Sequence, residues 1–147
     1  MTEKNIQIPF ALIGMQTLEF ATIKELYSDD NPNMEIGINA EFGIKSLKEY
    51  EIVCALEVSF LQDGKPFIKA KIACYFSVKQ EQWEEYTCEK KQSIIFPKGF
   101  TDHLLMIAIG SLRGVLHAKT EGTIFNKFIL PTINVTVLTK DDVEMKL

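Results

Sequence analysis

The chain has 147 residues, of which 46% are hydrophobic, and its 20 acidic against 16 basic side chains leave a net charge of −4. That length and apolar content suit one domain with its own core and exclude a disordered chain. The mild acidity, without any run of Lys or Arg, argues against a nucleic-acid partner, and no apolar stretch has the length that insertion across a bilayer requires.

The first residues, Met1 to Met15, lack a cationic leader and a small-residue cleavage site, so no secretory signal is expected and the expected location is cytoplasmic. Ile6 to Leu12 alternates weakly between apolar and polar positions. In "TLEFATIKEL", Leu18 and Phe20 fall on one face of a further strand. Asp29 to Asn33, "DDNPN", is a turn cluster.

Three stretches then alternate with great regularity. Met34, Ile36, Ile38, Ala40, Phe42 and Ile44 share one parity; so do Tyr50, Ile52, Cys54, Leu56, Val58 and Phe60, and again Ile68, Ala70, Ile72, Cys74, Phe76 and Val78. Each predicts a strand with one buried face. Asp63-Gly64 marks the hairpin between the last two. Because both strands bury even positions, a regular ladder needs a loop of odd length, Gln62-Asp63-Gly64. That register sets Cys54 opposite Ile72 and Leu56 opposite Ala70. Short connections predict an antiparallel meander.

From Gln80 to Gln92 the chain reads as a polar connection anchored by Trp83 and Tyr86. A long helix follows, with Thr101 as the expected N-cap, Asp102 at the positive end of the dipole and Phe100 and Leu105 as a hydrophobic staple. It should end near Gly122. Its apolar residues cover more than one stripe, so it should be buried on more than one side. Gly110 and Gly114 share a helical face, and each costs about 1 kcal/mol against alanine; a close-packed neighbour, as in a subunit interface, would explain both. After Pro131, Ile133, Val135 and Val137 suggest a strand, with a charged, frayed tail. The whole is an α+β domain over residues 1–147: a four-stranded antiparallel sheet with one long helix packed on one face.

Candidate chemistry is sparse. The three cysteines, Cys54, Cys74 and Cys88, form no Cys-x-x-Cys pair, so no metal site is expected; Cys54 and Cys74 should be buried neighbouring thiols. His103 and His117 lie at opposite ends of the helix, about 21 Å apart along its axis, too far to share a proton transfer. Ser111 directly follows Gly110, so "IGSLRG" is no nucleophile elbow. No phosphate-binding loop and no cofactor motif is present. A small enzyme using His117 with Lys119 or Glu121 is the weakest of the available readings, and the expectation is no catalytic residue.

The order of parts resembles the SecB-like family of protein-export chaperones, which includes chaperones associated with toxin–antitoxin systems. Ile95-Phe96-Pro97 matches its turn; Ser111, Arg113 and Gly114 match its helix signature; Pro131, Ile133 and Asn134 match the segment beyond. The resemblance spans residues 16 to 137. It implies four antiparallel strands with helices on one side, homodimers or homotetramers, and an apolar groove holding unfolded or extended polypeptide. On that basis Phe20, Tyr27, Phe96, Phe100, Phe125 and Phe128 are the expected groove residues, and Gly110, Arg113 and Gly114 the expected oligomer interface. Family members dock a translocation motor on acidic sheet residues; Glu35, Glu41, Glu51 and Glu57 would form such a face here, diluted by Lys69 and Lys71. The family's last helix is not matched by Thr132 to Asp142. The expected function is a non-enzymatic holdase, with a dedicated-partner chaperone, for instance of an antitoxin or a mobile-element protein, as the alternative.

Overall fold

The computed structural model describes residues 8–147; the start of the weakly alternating Ile6 to Leu12 stretch lies outside them. Four long strands, β1 (Phe10–Thr22), β2 (Glu35–Ser46), β3 (Glu51–Gln62) and β4 (Lys65–Val78), form one antiparallel sheet in the order β1-β4-β3-β2. The even-numbered side chains of β3 and β4 are buried, as their alternation requires. A long helix, α2 (Lys98–Thr120), covers this face. Its preceding connection holds a short helix α1 (Gln80–Tyr86), a two-residue strand β5 (Thr87–Cys88) and a strand β6 (Ser93–Phe96). A one-turn helix α3 (Val135–Leu138) and a strand β7 (Val143–Lys146) complete the chain. β5, β6 and β7 make a small second antiparallel sheet.

The α+β class, the four antiparallel strands and the long helix agree with the sequence reading. The meander extends over β2, β3 and β4 only; β1 crosses to the far edge and pairs with β4. Two bulges, between Leu12 and Gly14 and between Thr17 and Glu19, shift β1's register. Its inner face is therefore even, then odd, then even: Phe10 and Leu12, then Met15 and Thr17, then Phe20 and Thr22, across from Val78, Phe76, Cys74, Ile72, Ala70 and Ile68. The broken parity hid one continuous strand behind two weak fragments. Leu18, the expected partner of Phe20 on one face, is instead the extra residue at the second bulge and is exposed.

The β3–β4 hairpin solves its parity problem differently from the expected odd loop. Gln62 pairs with Lys65 and Leu61 with Pro66, leaving a two-residue turn in which Asp63 and Gly64 both have positive φ, 52° and 76°. Phe60 then pairs with Ile68, so Phe67 is the extra residue of a bulge. The result moves the register: Cys54 faces Cys74 and Leu56 faces Ile72. Phe67 is buried beside its neighbour Ile68 because the bulge turns both inward.

α2 begins at Lys98 behind Pro97, not at Thr101. Proline supplies the entry geometry without needing an amide partner. Thr101 and Phe100 are consequently buried inside the first turn, the Thr101 hydroxyl donating to the Lys98 carbonyl at 3.1 Å, and no staple forms across the cap. The helix end matches expectation, with Gly122 at φ 78°. Beyond it, the expected strand at 133–137 is a single turn of helix capped by Asn134, whose Oδ1 accepts from the Thr136 amide at 3.1 Å. The tail is not frayed: β7 pairs with β6 and buries Met145.

Candidate functional site

Aromatic side chains collect at the two ends of α2. At its start, Phe96 and Phe100 stack at 5.0 Å, with Trp83, Tyr86 and Phe10 against them. At its far end, Tyr27, Phe60, Phe67, Phe125 and Phe128 form a second group with ring centroids 4.9–6.5 Å apart. Of the six expected groove residues, Phe96 and Phe100 fall in the first group and Tyr27, Phe125 and Phe128 in the second, while Phe20 belongs to neither. Phe96, Phe100 and Phe125 are buried core and offer no surface, which corrects their assignment as groove residues. The reason is the helix start: with α2 entered at Pro97, both Phe96 and Phe100 point beneath it rather than beside it.

Phe20, Tyr27 and Phe128 are half-buried and remain accessible. Exposed aliphatics adjoin them: Ile23, whose amide donates to the Phe67 carbonyl at 2.8 Å; Ile36, the cross-strand partner of Phe60; and Ile124 and Ile129, on either side of the Phe125–Phe128 turn. Two lysines border this patch. Lys119 Nζ sits 5.7 Å from the centre of the Phe20 ring, and Lys127 Nζ lies 5.2 Å from that of Tyr27. Asp29 accepts from the Tyr27 hydroxyl at 2.7 Å and from Lys127 at 3.1 Å. Those two contacts, the hydroxyl first, hold the Asp29 carboxyl below its ordinary value. The patch is aromatic and aliphatic, bordered by Lys119 and by the Lys127–Asp29 pair, and is able to bury apolar side chains.

A second apolar surface lies farther along β1, the strand that also carries Phe20. α2 sits over β3 and β4 and meets β1 at its two ends, where Phe10 packs on Phe100 and His103 and Lys119 lies over Phe20; between them Leu12 and Met15 on the inner face are 43% and 46% exposed, although they lie opposite buried Phe76 and Cys74. β2, at the other edge, likewise falls short of the expected buried face: Met34 and Ile36 are exposed and Ile38 to Ile44 only half-buried. Gly110 and Gly114 are exposed, and a Cβ built on either would meet nothing within 4 Å, so no neighbour among the described residues explains them. Arg113 has an intrachain role: Nε donates to the Leu130 carbonyl at 3.0 Å and an Nη to that of Pro131 at 2.9 Å, holding the chain that leaves the helix.

The outer sheet face carries the expected acidic residues, but they differ in state. Glu51 pairs with Lys45 at 3.2 Å and Glu57 with Lys69 at 3.6 Å, and Lys69 also reaches Glu19. Lys45 in turn lies over the Tyr75 ring, whose hydroxyl donates to Gln16 at 3.0 Å. Glu35 and Glu41 are exposed and enter no ion pair among the described residues.

Cys54 and Cys74 are directly paired across β3 and β4, both free and buried; burial, with the neighbouring Cys74, pushes the Cys54 thiol up to about 12. His117 Nε2 lies 3.1 Å from Glu121, and His103 stands edge-on to Phe10. Among the described residues no group of three or more His, Cys, Asp and Glu could hold a metal ion, and no helix is long and apolar enough to cross a membrane. Sequence reasoning missed one cluster: Lys98, whose ammonium contacts Asp102 at 2.9 Å together with the carbonyls of Thr136 and Thr139. The Lys98–Asp102 spacing of one helical turn was the available signal.

No family model matches the chain, and no curated protein matches it. Among solved structures it is similar to the Mycobacterium tuberculosis SecB-like chaperone Rv1957, in complex with a ChAD peptide from the Rv1956 HigA1 antitoxin. The TM-score is 0.50 at 8% identity, over 85% of this chain and 91% of that one. At that identity the likeness is one of fold, and the fold of this chain is SecB-like.

Proposed function

We propose that this chain is a non-enzymatic binding protein that holds extended or non-native polypeptide on its apolar surface. The observation that carries this reading is the half-buried aromatic set Phe20, Tyr27 and Phe128 with exposed Ile23, Ile36, Ile124 and Ile129 around it. A monomeric fold gains nothing by leaving such a set in contact with water, and an apolar guest removes that contact. Lys119, over the Phe20 ring, suits the carbonyls and acidic flanks of a client, whereas Lys127 is paired with Asp29. In a light-scattering assay with a chemically denatured client, a stoichiometric amount of the protein suppresses aggregation. Ile23→Ser with Ile129→Ser, both at exposed positions, weakens that suppression severalfold while the unfolding midpoint stays put. Absence of suppression by the native chain removes the reading.

A dedicated partner is the second reading, favoured by the antitoxin peptide bound to the structurally similar chaperone. A pull-down yielding one stable partner and no general client binding decides for it. Glu35 and Glu41 on the open sheet face are where a translocation motor or other partner would dock, because Glu51 and Glu57 are already paired. Self-association into a homodimer or homotetramer would use the uncovered β1 edge and the open face at Gly110 and Gly114. Such packing would account for the two helical glycines that no neighbour among the described residues explains.

A further inference from the structure

Between Phe128 and β7, residues 131–142 run back along α2 from Arg113 to Lys98, about 22 Å of helix. They are held almost wholly by side chains of α2. Arg113 takes the carbonyls of Leu130 and Pro131. Lys98 Nζ takes those of Thr136 and Thr139, the Thr139 hydroxyl donates to Asp102 at 2.6 Å, and Asp142 accepts from the Lys98 amide at 2.8 Å. The segment's own backbone bonds among the described residues are local, Val137 to Asn134 and Thr139 to Val135. No ladder bond ties it to either sheet until β7 begins at Val143. Beneath it, Ile133, Val135 and Leu138 pack against the core.

We infer that residues 131–142 are a displaceable strap, an internal stand-in for the guest, and that an extended client segment with spaced aliphatic residues takes its place. This rests on the polypeptide-binding reading. Two features support it. Arg113 and Lys98 take backbone carbonyls, which every polypeptide carries, and the packing asks only for aliphatic side chains; a client of unrelated sequence can reproduce these contacts, whereas the bonds of Thr139 and Asp142 belong to the strap alone. The strap also starts at Pro131, one buried residue (Leu130) beyond Phe128 and Ile129, so the strip it covers continues from the accessible aromatic patch. Release would not shed the chain's end, since β7 stays paired with β6 and Met145 stays buried. An occupied strip lowers apparent client affinity by the cost of displacing the strap.

The test uses the full chain and a Thr139→Val, Asp142→Ala variant, which loosens the strap from its own side and leaves Lys98, Asp102 and Arg113 intact. By hydrogen exchange, amides of 131–142 exchange faster in the variant while those of α2 beyond its first turn, β3 and β4 do not change; a global loss of protection, or no change in 131–142, overturns the strap. A labelled peptide of sequence Pro131–Asp142 binds the variant on the order of tenfold more tightly than the native chain. A reduced, alkylated unfolded protein competes it away. Equal affinity for both chains overturns the inference even if aggregation is suppressed. Tight peptide binding without competition, and without suppression, instead removes the polypeptide-holding function and with it the client's place under the strap.

Discussion

Arg113 makes two charge-assisted bonds to carbonyls that otherwise face a partly buried loop. Arg113→Ala should cost about 2 kcal/mol, measured by chemical denaturation, because two acceptors lose their donor. The sequence analysis placed this arginine in an expected oligomer interface; its bonds to the Leu130 and Pro131 carbonyls, 17 and 18 residues on, are visible only in the fold. The paired thiols act by burial. Cys54 rises from an ordinary 9.0 to about 12 in the folded chain, so the unfolded state ionises first, and stability present at neutral pH falls between those values. Denaturation midpoints followed from pH 8 to 11 should decline, and Cys54→Ala should flatten part of that slope. In the folded protein at pH 8, a thiol reagent should find Cys88, which is partly exposed, well before Cys54 or Cys74. Alternation placed these two cysteines on one buried face; their direct opposition depended on a bulge that alternation does not encode.

That bulge is the lesson at the scale of elements. Parity demanded that even positions of β3 and β4 face one another, and they do, but the chain satisfied it with Phe67 as an extra strand residue rather than with a third loop residue. A two-residue turn with positive φ at both centres matches the twist of the strands better than a longer loop, and Phe67 repays the irregularity by joining the aromatic group of Tyr27, Phe125 and Phe128. Gly64→Ala, at φ 76°, should destabilise by about 1 kcal/mol in the same denaturation assay, with m unchanged. β1 shows the converse: two bulges scrambled its parity, so a thirteen-residue strand was legible only as two weak pieces. The helix illustrates a competition of signals at one terminus. Thr101 and Asp102 are good capping residues, yet Pro97 lies upstream and the apolar Phe100 is better buried than left outside, so helix begins three residues before the expected cap.

Across the whole molecule, a single helix covers a four-stranded sheet that is wider than the helix, and the uncovered width is where apolar surface accumulates. β1 has one charged residue in thirteen, no lysine and no proline, and it exposes Leu12, Ile13, Met15 and Leu18 along an edge. An edge of that kind invites strand pairing with another chain. If β1 mediates self-association, Met15→Lys should lower the mass measured by sedimentation equilibrium and leave the far-ultraviolet circular dichroism unchanged; an unaltered mass places the contact elsewhere. The sequence by itself determined the α+β class, the parity of β3 and β4, the end of α2 at Gly122, and the absence of any recognisable catalytic motif. These follow from periods and local backbone preferences, which are written residue by residue. Tertiary structure alone decided that β1 joins β4, that Phe96, Phe100 and Phe125 are core while Phe20, Tyr27 and Phe128 stay accessible, and that Lys98 and Arg113 clamp the returning chain. Those outcomes depend on which face of each element meets another, and on bulges that shift a register by one, neither of which a local pattern records.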